Sequence, residues 1–112
     1  MKVSPYIEAS FQVLGKKWTG QLVHYLSLCE NQTARFSDIK RDIKGITSRS
    51  LSLKLSELAE EGLVEKAVES GASGALYRLT EKGSALADSL QPLQQWARQY
   101  MEIERQTDKE SS

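Results

Sequence analysis

Gly45-Ile46-Thr47-Ser48-Arg49-Ser50-Leu51-Ser52-Leu53-Lys54-Leu55-Ser56-Glu57-Leu58-Ala59-Glu60-Glu61-Gly62 is the stretch on which the fold of this 112-residue chain turns. Thr47 is a hydroxyl residue suited to an N-cap, and Gly62 suits the position just past a helix C-terminus. Between them the spacing predicts a helix over residues 48–61, with Leu51, Leu55, Leu58 and Ala59 on one face. At 100° per residue the opposite face carries Arg49, Ser52, Leu53 and Ser56. Just upstream, Ser37 is read as the cap of a short helix over residues 38–43, with Ile39 and Ile43 at i, i+4. Lys44-Gly45-Ile46 then turns the chain. Two short helices joined by a tight Gly-containing turn form a helix-turn-helix.

Downstream of Gly62 the period changes. Leu63, Val64, Ala67 and Val68 read as a strand, Ser70-Gly71-Ala72-Ser73-Gly74 as a flexible turn, and Ala75-Leu76-Tyr77-Arg78-Leu79 as a second strand, which makes a β-hairpin. Thr80 caps a last helix that begins at Glu81, with Leu86, Leu90, Leu93, Trp96, Ala97, Tyr100 and Met101 along one side. Pro92 predicts a break or kink near residues 89–91. Upstream, Ser4-Pro5 marks a helix start. Tyr6, Ile7, Phe11 and Leu14 follow at helical spacing up to a stop at Gly15. A second helix is expected over residues 17–29, carrying Trp18, Leu22, Tyr25, Leu26 and Cys29. Residues 30–34 read as a polar loop and Arg35-Phe36 as a very short strand. The fold class is mainly α with a small β-hairpin (α+β): a winged helix-turn-helix with N- and C-terminal helical extensions. Residues 1–106 are read as one domain and residues 107–112 as a polar, disordered tail.

Composition narrows the function classes. Apolar residues make up 39% and charged residues 27%, the profile of an ordinary globular chain. The single cysteine, Cys29, cannot form an internal disulfide, and the N-terminus lacks the apolar stretch of a signal peptide. No run approaches the length of a membrane span. A cytoplasmic location without membrane contact is expected. There is no Gly-rich phosphate loop, metal cluster or nucleophile set, so neither a catalytic residue, a metal nor a cofactor is expected. His24 is the only histidine, and a surface or packing role is its simplest reading.

Fifteen Lys and Arg balance fifteen Asp and Glu, so local distribution has to decide about nucleic acid. Residues 35–54 hold Arg35, Lys40, Arg41, Lys44, Arg49 and Lys54 against Asp38 and Asp42. Residues 55–69 hold five glutamates against Lys66. A cationic stretch centred on a helix-turn-helix suits phosphate contacts, although a solvated surface alone could carry the same charges. Leu53 is an apolar side chain on a polar face. It suits contact with thymine methyls, or it is one exposed leucine among many. Trp18 reads as core, with a role in an effector cleft as the alternative, and Cys29 reads as a small buried apolar residue.

Several segments, in order, resemble the HxlR-type family of bacterial transcriptional regulators, relatives of MarR. Gly15-Lys16-Lys17-Trp18-Thr19 is similar to the family's Gly-Gly-Lys-Trp-Thr signature, and Arg35-Phe36-Ser37-Asp38-Ile39 to its Arg-Phe-Gly-Glu-Leu segment. Gly45-Ile46-Thr47 with Leu51, Leu55 and Leu58 resembles its Gly-Ile-Ser helix. Glu61-Gly62-Leu63-Val64 and Tyr77-Arg78-Leu79-Thr80-Glu81-Lys82-Gly83 complete the pattern, which spans residues 4–101. Two departures stand out. Many family members carry a redox-sensing Cys just before the first helix's Pro, where this chain has Ser4. The family's wing often bears Pro and Arg, where this chain has Ser-Gly-Ala-Ser-Gly.

The resemblance implies a sequence-specific DNA-binding regulator, with repression the expected sign, working as a homodimer on a palindromic operator. Double-stranded DNA is the expected partner, and such regulators leave room for a small-molecule effector. Arg49, Ser50, Ser52 and Leu53 are expected to read bases. Arg35, Lys40, Lys44 and Lys54 are expected to hold phosphates. Tyr6, Phe11, Leu14, Leu90, Leu93, Trp96 and Tyr100 are expected to form the dimer interface, because these stripes exceed what one small core can cover. The competing reading is a winged-helix module for protein–protein contact without DNA binding, against which the basic bias over residues 35–54 speaks.

Overall fold

Helix ends are set by hydroxyl caps where the spacing predicts them. The Ser4 hydroxyl accepts hydrogen bonds from the backbone N–H groups of Tyr6 and Ile7 at 3.2 and 3.3 Å. Thr47 accepts from Ser50 N–H at 3.0 Å, and Thr80 from Gly83 N–H at 3.1 Å. Each satisfies a donor that the first helical turn leaves without a partner. The computed structural model describes residues 1–67 and 74–103. The elements run α1 (Pro5–Leu14), α2 (Thr19–Leu28), a 3-10 turn (Glu30–Gln32), β1 (Thr33–Arg35), α3 (Phe36–Asp42), α4 (Ser48–Glu60), β2 (Val64–Ala67), β3 (Leu76–Leu79) and α5 (Glu81–Tyr100).

One core joins them. Leu22, Val23 and Leu26 of α2, Ile39 of α3, and Leu51, Leu55 and Leu58 of α4 are fully buried. Leu63, Val64, Leu79 and Ala87 extend this cluster beneath the sheet and the start of α5. The sheet has the order β1-β3-β2 and is antiparallel throughout. Val64 faces Leu79 and Ala67 faces Leu76 across the wing, while Thr33 faces Arg78 on the other edge.

Two motifs whose contacts span 18 to 21 residues of sequence between side chain and backbone clasp each other. Gly62 adopts φ 77°, the left-handed conformation that ends α4 and that a side chain would strain. The Leu63 carbonyl then accepts from Thr80 N–H at 3.1 Å, and Lys82 Nζ donates to the Glu61 carbonyl at 2.7 Å. Gly83 lies so close to the residue that leads into β2 that a Cβ there would stand 2.1 Å from the Leu63 carbonyl oxygen. Glu61-Gly62-Leu63 and Thr80-Glu81-Lys82-Gly83 therefore form one joint between α4, the sheet and α5.

Four expectations need correction. The strand expected at Arg35-Phe36 lies at Thr33–Arg35: it keeps Arg35, takes Thr33 and Ala34 from the segment read as a loop, and pairs with β3 as a third strand. α3 starts at Phe36, with Arg35 at its cap position and no side-chain cap, so Ser37 does not cap it. The reason is tertiary: Phe36 N–H donates to the Ala75 carbonyl at 3.1 Å, and the sheet takes over a cap's role. α2 begins at Thr19 rather than at residue 17, because Trp18 sits at φ 77°. α5 is unbroken through Pro92. The one hydrogen bond that Pro92 cannot give belongs to the carbonyl of Asp88, an exposed residue that water can serve. Val68, the expected turn at residues 70–74 apart from Gly74, and the expected tail at residues 107–112 lie outside the described residues.

Candidate nucleic-acid interface

The helix-turn-helix is held from beneath by apolar contacts and from its rim by polar ones. Ile46 is buried in the turn. The Trp18 ring lies under the same turn, since a Cβ on Gly45 would stand 3.7 Å from Trp18 Cη2. Trp18 is thus packed against the core, with the Lys17 ammonium 5.1 Å from its ring centroid. With Leu51, Leu55 and Leu58 turned inward, α4 presents Arg49, Ser50, Ser52, Leu53 and Ser56 to solvent. Leu53 is 62% exposed.

The cations of the basic stretch separate into two groups. Arg35 and Lys44 are exposed and Lys40 is half-buried, all on or beside α3. Arg35 also lines a cavity of about 290 Å³ with Phe36, Ser37, Gly74 and Ala75, where α3 meets the base of the hairpin. Lys54 behaves differently. Its side chain is only 11% exposed, and its ammonium lies 3.0 Å from Glu57 Oε2 and 3.5 Å from Thr19 Oγ1. Lys16 reaches the other oxygen of Glu57 at 3.0 Å. Hydrogen bonds from Lys54 and then Lys16 hold the Glu57 carboxyl below its usual range. The structure therefore places Lys54 in a brace between α4 and the start of α2. Glu57 and Thr19, the partners in that brace, carried no signal in periodicity.

Arg41 is also engaged, with Asp42 at 2.8 Å and Asp38 at 3.1 Å. Asp42 further accepts a 2.6 Å hydrogen bond from the Tyr25 hydroxyl, which ties α3 to α2. The Arg41 and Tyr25 bonds pull the Asp42 carboxyl down to about 2. Burial, reinforced by Asp42, pushes the Tyr25 phenol well above its ordinary range, so it remains a donor. Nearby, Cys29 Sγ donates to the Tyr25 carbonyl at 3.3 Å, and burial pushes this thiol up.

The residues expected at a dimer seam lie on α1 and α5. Tyr6 is 83% exposed, and Phe11, Leu93, Trp96 and Tyr100 are exposed too. Trp96 and Tyr100 stack obliquely, with ring centroids 6.1 Å apart. Leu14 and Leu90 are half-buried, and Leu90 packs against the core. Ile7 and Ile103 join the exposed apolar set; the i, i+4 step from Ile7 to Phe11 was the available signal for the first. Among the described residues, no group of three or more His, Cys, Asp or Glu is placed to hold a metal, and no helix is long and apolar enough to cross a membrane.

A capped helix with an outward polar face, a supporting helix at its start and an antiparallel wing behind it define a winged helix-turn-helix protein of the DNA-binding class. Residues 13–105 match the family described as HxlR-like helix-turn-helix, and the chain belongs to this family of transcriptional regulators. The HTH-type transcriptional regulator YodB of Bacillus subtilis is 36% identical over 99 residues, covering 88% of this chain and 86% of its own. The reduced form of YodB superposes with a TM-score of 0.76 at 34% identity, over 93% of this chain and all of that one. The redox regulator HypR in its oxidized form gives a TM-score of 0.73 at 28% identity, over 87% of this chain and 98% of that one.

Proposed function

We propose that the chain is a cytoplasmic, homodimeric repressor that recognises a palindromic operator by laying α4 in the major groove, and that it has no catalytic activity of its own. The observation that carries this reading is the division of α4. Three leucines on one side are fully buried, while Arg49, Ser50, Ser52 and Leu53 stand exposed in its first two turns. Recognition helices present that end to base edges. Arg49 has the forked donors that match a guanine edge, and the serine hydroxyls can serve several acceptors and donors. Arg35, Lys40 and Lys44 flank the helix where phosphates would pass. Lys54 is left out of that set because its side chain is only 11% exposed, with its ammonium turned to Glu57 and Thr19.

The test is to sequence the fragments that the purified protein retains from random DNA, and to measure binding to the selected fragment over a range of salt. The expected result is an inverted repeat with half-site centres about one helical turn apart, roughly 34–36 Å. Affinity should fall steeply with salt as phosphate contacts release counterions. Retention without any motif, and without dependence on salt, would overturn the reading in favour of a protein-contact module.

A further inference from the structure

Leu53 is the one large apolar side chain that the helix-turn-helix, as described, leaves exposed. The other exposed large apolar residues lie on α1, at the end of α2, on α5, or in the segments before α1 and after α5. Leu53 therefore does not continue the surface assigned to a dimer seam. Its neighbours on its own helix face are polar: Arg49 and Ser50 one turn before it, Ser52 next to it in the chain, Ser56 one turn after it. Serine side chains are short, so the Leu53 isobutyl group stands beyond them. Glu57, also one turn after it, is turned toward Lys16 and Lys54.

A major groove offers hydrogen-bond donors and acceptors on every base pair, but only one apolar group, the C5-methyl of thymine. We propose that Leu53 is a specificity-determining residue that reads a thymine methyl in each operator half-site. The inference rests on the DNA-reading role of α4 proposed above, and it adds the chemical group that is read. It also fixes a spacing. Arg49 and Leu53 are four residues apart, about 6 Å along the helix axis, against roughly 3.4 Å per base step. With α4 along the groove, the thymine lies one to two base-pair steps from the guanine gripped by Arg49.

The experiment starts from the operator selected by the wild-type protein. Each thymine is replaced singly by deoxyuridine, which removes the methyl and keeps the pairing. Affinities are measured for the wild type and for Leu53→Ala, a surface change whose fold is checked by circular dichroism. One position per half-site should weaken wild-type binding about fourfold on loss of its methyl, the effect expected for one buried carbon. The same replacement should leave Leu53→Ala binding unchanged. If no deoxyuridine position matters, or if every effect persists in Leu53→Ala, the methyl-reading role is overturned while DNA recognition by α4 stands. If the wild type selects no motif at all, both readings fall together.

Discussion

Arg49 and Lys54 sit five residues apart on one helix, in one basic stretch of sequence, and the fold gives them different surroundings. Arg49 points to solvent on the face opposite the buried leucines, whereas Lys54 turns into the brace with Glu57 and Thr19. Arg49→Ala should relax sequence preference at one base pair per half-site by about 1–3 kcal/mol, read by repeating the binding-site selection. Lys40→Ala should instead weaken binding evenly across sequences and lower the salt slope by about one unit. Lys54→Ala should leave that slope unchanged. Asp42 supplies a pH test. Its carboxyl titrates at about 2 in the folded chain, below its ordinary 3.8. A depressed carboxylate stabilises the fold above its unfolded pKa, and that contribution is lost as pH falls through the folded value. Acid unfolding should therefore be steeper between about pH 4 and pH 2 in the wild type than in Asp42→Asn. Redox behaviour separates in the same way. Ser4 has no thiol, and the Cys29 thiol, pushed up by burial, is a poor thiolate source. Diamide should leave operator binding unchanged, and a response abolished by Cys29→Ser would refute this.

At the scale of elements, local signals set most ends and long-range pairing set the rest. The caps at Ser4, Thr47 and Thr80, the leucine face of α4 and the stop at Gly62 were all legible, because each depends on residues within a turn of one another. The outward set of α4 followed from the same period. Ser37 has the chemistry of a cap, yet α3 starts one residue earlier, where the Ala75 carbonyl receives the Phe36 N–H. No window around Ser37 contains Ala75. The brace was hidden for the same reason, since Lys16 meets Glu57 across 41 residues of sequence. Pro92 misled in the other direction, because the cost of one lost helical bond does not outweigh continued helix on an exposed stretch. Gly83 shows the joint between elements most sharply. Gly83→Ala would drive a Cβ against the Leu63 carbonyl and within 3.0 Å of Leu79 Cδ2. Either β2 or the start of α5 must then shift. Destabilisation of about 1–3 kcal/mol or more is expected from such overpacking, measured by urea denaturation. A neutral outcome would show that the clasp tolerates separation.

For the whole molecule, α1 poses a physical problem that a single copy does not solve. It is ten residues long and has no buried residue, and isolated helices shorter than about 12–15 residues are marginal in water. α5 has the matching feature. Its buried residues, Gly83 and Ala87, lie in its first half, and beyond Leu90 it carries Leu93, Trp96 and Tyr100 into solvent. A second copy would cover both surfaces, and a two-fold axis would set two α4 helices against the two halves of an inverted repeat. The prediction follows directly. At micromolar concentration the chain should sediment at twice its 12.6 kDa. Trp96→Glu places a charge in the proposed seam at an exposed position, so it should shift the protein toward monomer. If α1 depends on that cover, the monomer should also lose helical circular dichroism in proportion to about ten residues, beyond any change in α5. Operator affinity should fall with it, since a monomer engages one half-site. A Trp96→Glu protein that stays dimeric with undiminished helicity would place the seam elsewhere. A wild-type chain that sediments as a stable monomer would refute the seam and leave α1 held only by the Ser4 cap and the packing of Val13 against the core.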